Sequence, residues 1–229
     1  MRVPSPAPDT ISDLDVGQLR NGRTREIGES LGSSALDERR AIFVISGTQG
    51  AGKTTVSSLL ARRFQRGVHV SADALQKMIV SGAQWPVSSQ TTINDDFDGE
   101  AVRQLRLRLH NMCLLGRSFF DAGFTVMLDD IIVGARLTDL REDLAGVDFM
   151  FVMLNPSKEA VRERESQRGT ELWREWEWLT ESIERTTPRI GLWLDSSTQT
   201  ANETVDEIMR RAWSEALVQS PHAGARRGV

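Results

Sequence analysis

The sequence predicts an α/β fold in which helices cover both faces of a central parallel sheet. Short apolar runs alternate along the chain with segments whose apolar residues recur at helical spacing. Glycine-rich or acidic residues follow several of these runs, at the positions where strands would end. The chain has 229 residues, 39% of them hydrophobic, which is enough for one well-filled core of this type.

The first predicted strand, 42–45, runs into the glycine-rich segment GTQGAGKTT. Four of its residues match the phosphate-binding pattern G-x-x-x-x-G-K-[ST]: Gly47, Gly52, Lys53 and Thr54. Glycines let successive backbone N–H groups curl around a phosphate, and the helix that follows adds its positive end. Lys53 is expected to reach the β- and γ-phosphates, and the Thr54 hydroxyl to ligate Mg²⁺. We therefore predict that nucleotide is bound by Gly47, Thr48, Gln49, Gly50, Ala51, Gly52, Lys53, Thr54 and Thr55.

The other elements follow from the same periodicities. Helix 54–64 carries an apolar stripe, and the apolar residues of 68–70 supply the next strand, followed by a helix over 72–80 and a loop over 82–99. The stripe of a long helix over 99–122 contains Val102, Leu105, Leu109 and Met112. Four arginines lie largely off this stripe, which is typical of a solvated face: Arg103, Arg106, Arg108 and Arg117.

Strands are predicted over 124–128, 149–154 and 192–194, and helices over 156–168 and 202–217. Asn155 is expected to cap the first of these helices, with Pro156 at its first position and Gly169 ending it. Strands that alternate with helices imply right-handed crossovers, and ligands of such sheets gather at the carboxyl ends of the strands.

Composition narrows the classes of function. A net charge of −4 and a pI near 5.5 make a nucleic-acid partner unlikely and argue against an anionic membrane surface. The single cysteine, Cys113, falls in an apolar helical stretch and is interpreted as a buried structural thiol. No run of 18 apolar residues occurs, and the N-terminus lacks the apolar core of a signal peptide. We expect a cytoplasmic protein.

Carboxylates follow two of the predicted strands. The segment FTVMLDD is an apolar strand followed by acids, which predicts that Asp129 is the Mg²⁺ partner and that Asp130 faces the acceptor. The alternative is that one of the two caps a helix. Asp73 is the candidate general base, because a carboxylate at a strand end beside the γ-phosphate can accept a hydroxyl proton. Ser71 or Asp73 could equally cap the following helix.

Arg164 and Arg168 are four residues apart on the predicted helix 156–168 and therefore share a face. This pair indicates a lid that offsets the charge developing on the transferred phosphate. The alternative pairs both arginines with glutamates on a solvated helix.

Tryptophans are concentrated in the segment LWREWEWL, and another stands in the loop 82–99. We predict that Trp85, Trp173 and Trp176 wall an acceptor pocket, although tryptophans at this spacing are more often core residues. The three histidines, His69, His110 and His222, lack metal-ligand spacing and receive no role.

With these residues in view, the chain resembles the chloramphenicol phosphotransferase-like family of small P-loop kinases. The resemblance covers roughly 42–210 and rests on GTQGAGKTT, VSADAL, VMLDDIIVG, ERESQRG and LWLDSSTQTANETVDEI. It implies a three-layer P-loop kinase fold with a helical lid, transfer of phosphate from ATP with Mg²⁺ to a hydroxyl of a small antibiotic, and Asp73 as the base. Thr54 stands where that family usually has serine. The segment 82–99 and the tryptophan-rich region differ from its acceptor-binding regions.

The resulting hypothesis is a kinase that phosphorylates a hydroxyl of a small natural product, in resistance or self-protection. A zeta-toxin-like nucleotide-sugar kinase, a nucleoside or polynucleotide kinase and a nucleotide-dependent regulatory module are the alternatives, and an oligomer is possible. The predicted organisation is a flexible extension over 1–40, a kinase domain over 41–218 with a lid over about 156–187, and a frayed tail over 219–229.

Overall fold

The computed structural model describes residues 40–85, 99–169, 179 and 183–220. Its central feature is a sheet of five parallel strands in the order β2-β3-β1-β4-β5. The strands are β1 (Ile42–Gly47), β2 (Gly67–Ser71), β3 (Thr125–Asp129), β4 (Phe149–Leu154) and β5 (Leu192–Leu194). A short sixth strand, β6 (Leu217–Val218), pairs antiparallel with the start of β4. The predicted α/β fold with a parallel sheet is confirmed.

Helices cover both faces of this sheet. They are α1 (Lys53–Ala61), α2 (Ala72–Gln76), α3 (Glu100–Asp121), α4 (Arg136–Asp143), α5 (Lys158–Gln167) and α6 (Ala201–Glu215). Strand β1 is buried on both sides, as central strands of parallel sheets are. Ile42 and Val44 pack on the face covered by α3 and α4, while Phe43 and Ile45 pack on the face covered by α1 and α6. The result is three layers with a core on each side of the sheet.

The strand register brings the functional ends together. Ile45 of β1 is opposite Asp129 of β3, and Asp129 is in turn opposite Ser71 of β2. The glycine-rich turn, Asp129 and Asp73 therefore leave the sheet at the same edge, from three adjacent strands.

Several local predictions need correction. Helix α2 ends at Gln76 instead of Val80, and Ser157, not Asn155, caps α5 by accepting a hydrogen bond from the backbone N of Ala160. Helix α4 and strand β6 are additional to the predicted elements. Helix α4 carries many charged residues, so its apolar positions are too few for a clear period, and β6 has only two residues.

Several predictions lie outside the described residues. They are residues 1–39 of the extension predicted over 1–40, the greater part of the loop 82–99, residues 170–178 and 180–182 of the predicted lid, which include Trp173 and Trp176, and the tail from residue 221. Among the described residues, no helix has both the length and the apolar character needed to cross a membrane.

Candidate active site

The turn between β1 and α1 has the backbone shape of a phosphate-binding loop. Gly47 has φ +149°, and a Cβ there would lie 2.4 Å from the carbonyl oxygen of Leu154. Gly50 has φ +77°, and a Cβ there would lie 2.8 Å from Val161 on α5. A side chain at either position would therefore require backbone strain and displacement of a neighbour. The glycines predicted for the cradle are required by the fold of this turn.

Lys53 lies at the centre of the site. Its Nζ donates a hydrogen bond to the carbonyl of Thr48 at 2.9 Å, which holds the side chain over the loop. Burial lowers the pKa of Lys53, whereas the nearby carboxylates of Asp129, Asp130 and Asp73 act in the opposite direction. The charges of all three predicted strand-end acids are therefore close enough to Lys53 to act on its pKa.

Thr54 and Asp129 form the part of the site suited to a metal ion. The Thr54 hydroxyl donates to Oδ2 of Asp129 at 2.6 Å, and Nε2 of His69 lies 3.1 Å from the other oxygen, Oδ1. Burial raises the pKa of Asp129, but the close approach of His69 and the hydrogen bond from Thr54 outweigh it, so this pKa lies below its ordinary value. The carboxylate is therefore ionised at neutral pH. A hydroxyl and a carboxylate are the hard oxygen donors that Mg²⁺ prefers.

Asp130 is held between two arginines. Oδ1 accepts hydrogen bonds from Nη2 of Arg108 at 2.6 Å and from the backbone N of Ile131, and Oδ2 accepts one from Nη2 of Arg136 at 2.8 Å. Burial raises the pKa of Asp130, but the two guanidinium groups bring it below its ordinary value. Since both carboxylate oxygens are occupied, this geometry favours an anchoring role for Asp130 over the predicted contact with an acceptor.

Asp73 lies in the first turn of α2, immediately after β2. Its side chain is 61% exposed, and its Oδ1 lies 3.8 Å from Nη1 of Arg108. Ser71 occupies the cap position of α2, but no side chain makes a capping hydrogen bond there. The alternative interpretation of Asp73 as a helix cap therefore has no bond to support it. Asp129 and Asp130 do not cap α4 either, because Ala135 occupies that position.

The two arginines of α5 have different environments. Arg164 is half-buried and donates to the carbonyls of Ala51, in the glycine-rich turn, and of Ser196 and Gln199, in the loop between β5 and α6. Burial and the neighbouring charge of Arg168 both lower the pKa of Arg164. Arg168 itself is exposed at the end of the helix. Arg164 thus ties the turn to the β5–α6 loop, and Arg168 is the more available cation.

A buried amide network holds the segment that leads to Trp85, one of the residues predicted to wall an acceptor pocket. Nε2 of Gln104 donates to the carbonyl of Gly82 at 2.9 Å and to Glu100, while its Oε1 accepts from the backbone N of Gln84 and from Gln76. Trp85 is 44% exposed at the end of this segment. Its role as an acceptor wall stays a prediction.

Three residues near the site are absent from the set predicted by the sequence: His69, Arg108 and Arg136. The helical pattern assigns Arg108 to a solvated face, yet it is 7% exposed. A helical wheel at 100° per residue contains the signal, since position 108 lies about 60° from Leu105, at the edge of the buried stripe. Arg136 lies on α4, which the sequence pattern does not reveal. His69 stands two residues before the end of β2 and has no sequence signal.

Comparison with known proteins identifies the family. Residues 43–187, well over half of the chain, match the family model described as an AAA domain. The chain belongs to this AAA-domain family. No curated protein is significantly similar to the chain.

Several solved structures share the fold of this AAA-domain protein. A sugar kinase from Janibacter sp. HTCC2649 is 18% identical to this chain, with a TM-score of 0.53, and the match covers 75% of this chain and 94% of the kinase chain. The Mycobacterium tuberculosis APS kinase, in complex with AMPPNP and APS, is 16% identical with a TM-score of 0.53 and coverage of 75% and 96%. The Deinococcus radiodurans tunicamycin resistance protein is 16% identical, with a TM-score of 0.51 and coverage of 79% and 99%. At these identities the similarity establishes a three-layer P-loop kinase-type fold.

Proposed function

We propose that the protein is an ATP-dependent O-phosphotransferase that moves the γ-phosphate to a hydroxyl group of a small natural product such as an antibiotic. The observation that carries the proposal is the convergence of Lys53, the Thr54–Asp129 pair and the exposed Asp73 carboxylate at one edge of the sheet. A phosphate cradle alone would suit a switch or a motor. An exposed carboxylate beside that cradle supplies the group that an alcohol acceptor needs.

ATP and Mg²⁺ are the proposed donor and metal. The residues fit the metal, because Thr54 and Asp129 offer two oxygen donors and Mg²⁺ in kinases takes few protein ligands in addition to phosphate oxygens. Bound Mg²⁺ neutralises charge on the phosphates. Lys53 is proposed to hold the β- and γ-phosphates, and the backbone of residues 47–55 to cradle the β-phosphate.

In the proposed reaction, Asp73 accepts the proton of the acceptor hydroxyl. The acceptor oxygen forms a bond to the γ-phosphorus while the bond between that phosphorus and the β–γ bridging oxygen breaks, and ADP leaves. Arg168, with its exposed guanidinium at the end of α5, is the proposed lid cation that offsets charge on the transferred group. Arg164 is proposed to support the nucleotide from the β5–α6 loop, to which it is bound.

The acceptor class rests on three supports. The motifs resemble the chloramphenicol phosphotransferase-like family, and a tunicamycin resistance protein is among the proteins of similar fold. The partly exposed ring of Trp85 on the acceptor side suits a compound with an apolar or aromatic portion.

The test is an acceptor screen. The protein is incubated with ATP, Mg²⁺ and a panel of hydroxylated antibiotics, sugars, nucleosides and nucleotide sugars, and products are analysed for the mass gain of one phosphoryl group. We expect an antibiotic-type compound to gain phosphate with the wild type but not with the Lys53→Ala variant. Phosphorylation of nucleotide sugars or nucleosides alone would favour the zeta-toxin-like alternative. ATP consumption that no compound stimulates would favour a regulatory module.

A further inference from the structure

Arg108 is an unusual member of α3 because it is buried at an edge of the sheet where the other charged groups of the site meet. Its side chain is 7% exposed, whereas the adjacent residue, Leu107, is 51% exposed on the outer side of the same helix. A buried guanidinium needs a compensating carboxylate, because a buried charge without a partner strongly destabilises the fold. Asp130 supplies that charge.

The Asp130 carboxylate is itself fixed from several sides. Arg136 holds Oδ2, and its Nη1 also donates to the carbonyl of Ile131 at 2.8 Å, so this second arginine is bound to both the side chain and the backbone of the β3 end. The backbone N of Ile131 donates to Oδ1. Asp130 therefore presents one fixed oxygen to Nη2 of Arg108, which anchors that end of the guanidinium.

Fixing Nη2 leaves the other nitrogens of Arg108 directed elsewhere. Nη1 lies 3.8 Å from Oδ1 of Asp73, which is within the range of an ion pair but too long for a hydrogen bond. The buried Nε has no hydrogen-bond partner among the described residues. Arg108 is thus bound firmly on the Asp130 side and only loosely on the Asp73 side.

Asp73, in contrast, has little else to orient it. It lies on a helix of five residues and is mostly exposed, and among the described contacts Arg108 is its nearest charged partner. An exposed carboxylate without a partner samples several rotamers. An opposite charge at 3.8 Å biases these rotamers toward Arg108 while leaving the carboxylate oxygens able to accept a proton.

We infer that Arg108 is a positioning residue for Asp73, and that Asp130 and Arg136 form the anchor that aims it. This inference rests on the proposed function, since it assigns Asp73 the role of base. The proton of the acceptor hydroxyl still goes to Asp73, and Arg108 takes part by holding the carboxylate in line with the acceptor oxygen. Asp130, predicted from the sequence to touch the acceptor, acts on the acceptor side only through Arg108.

The test is a double-mutant cycle between Arg108→Gln and Asp73→Asn, with Arg108→Lys as a conservative variant. Arg117→Gln is the matched control, because Arg117 is on the same helix and donates to the carbonyl of Ala145, away from the site. Turnover and KM are measured with ATP and the acceptor that the wild type phosphorylates in the screen. The same variants are assayed for slow ATP hydrolysis, with water as the acceptor. Thermal unfolding is followed for each protein.

We expect Arg108→Gln to lower kcat by about 10²-fold, the scale of a misplaced catalytic group, with the KM for ATP within about twofold of the wild type. Arg108→Lys should recover part of this loss. The double variant should be no slower than Asp73→Asn alone, because a residue that acts through Asp73 has nothing left to position. Arg117→Gln should keep wild-type kcat.

Other outcomes separate the two proposals. Multiplicative effects of the two substitutions, or a rise confined to the acceptor KM, would overturn the positioning role and indicate an independent or acceptor-binding Arg108. A loss explained by unfolding of Arg108→Gln, with wild-type kcat in a folded Arg108→Lys variant, would also overturn it. If no acceptor is phosphorylated, the proposed function fails, and non-additivity in the hydrolysis assay still decides the coupling. If ATP is not consumed at all, both proposals fall.

Discussion

The hydroxyl of Thr54 at the start of α1 donates a hydrogen bond to Oδ2 of Asp129 at the end of β3, across 75 positions of the chain and over 2.6 Å. This contact joins the glycine-rich turn to the neighbouring strand. It also places side by side two hard oxygen atoms of the kind that Mg²⁺ prefers.

The Thr54 hydroxyl should therefore determine the requirement for Mg²⁺. We predict that Thr54→Ala raises the Mg²⁺ concentration for half-maximal transfer by about tenfold or more, as expected for the loss of one ligand, ~1.4 kcal/mol per tenfold. Thr54→Ser keeps the hydroxyl and should stay near the wild type. Ser58→Ala, one turn along the same helix, is the control. An unchanged Mg²⁺ titration of Thr54→Ala would remove Thr54 from the metal site.

Asp73→Asn keeps the shape of the side chain and removes its capacity to accept a proton. We predict that kcat falls by about 10²–10⁴-fold, the usual range for a general base, while the KM for ATP changes little. The measurement is steady-state kinetics with ATP and the acceptor that the wild type phosphorylates. Turnover that stays at the wild-type level would exclude Asp73 as the base.

Substitutions of Arg164 and Arg168 on α5 should change different kinetic constants. Arg164→Gln removes hydrogen bonds from a charged donor to the turn and to the β5–α6 loop, so we expect the KM for ATP to rise by about tenfold. Arg168→Gln should instead lower kcat, by about 10²-fold, with little change in KM. Arg162→Gln, on a different face of the same helix, is the control. Identical effects of both substitutions would contradict this division.

Asp130 should be important for stability. Asp130→Asn leaves the buried guanidinium groups of Arg108 and Arg136 without their carboxylate, so we predict a loss of about 3–5 kcal/mol in the free energy of unfolding. Urea denaturation at pH 7 measures this loss. Asp206→Asn, which removes an exposed ion pair with Arg63, should cost less than about 1 kcal/mol. Similar losses in both variants would contradict the anchoring role.

The same carboxylate predicts a pH dependence. The ordinary pKa of an aspartate is about 3.9, and the pKa of Asp130 in the folded state lies below this ordinary value. The ionised form of Asp130 therefore stabilises the fold fully at any pH above the ordinary value. This stabilisation is lost as the pH falls through the lower, folded-state pKa. We predict that the unfolding free energy of the wild type decreases more steeply than that of Asp130→Asn as the pH falls below about 4. Parallel curves for the two proteins would show that Asp130 is not the titrating group.

The sequence is sufficient to predict the parallel sheet and the ends of the strands from which the glycine-rich turn and the acids emerge. The glycines of residues 47–52 indicate a turn with positive φ angles that other residues rarely adopt, and the apolar strands end in acids whose positions the parallel topology determines. The order of residues along the chain therefore places Asp129 and Asp73 at one edge. It does not determine what they contact, because contacts across the sheet edge depend on register and on the path of α3 and α4.

Arg108 illustrates this limit. A charged residue at the edge of an apolar stripe is usually exposed, and only the position of Asp130 makes its burial favourable. The position of the Asp130 carboxylate depends on Arg136 of α4. The apolar residues of α4 are too few to give a helical periodicity from which the helix could be predicted. Trp173 and Trp176 lie outside the described residues, so their roles as walls of an acceptor pocket stay predictions.

The four hydrogen bonds of the Gln104 amide have a consequence for how residues 82–84 respond to mutation. One side chain, using both of its donors and both of its lone pairs, fastens residues 82–84 to α3 and α2. A single substitution at Gln104 would therefore remove all four bonds at once and loosen residues 82–84, while the hydrogen bonds of Lys53 and Thr54 in the glycine-rich turn would remain.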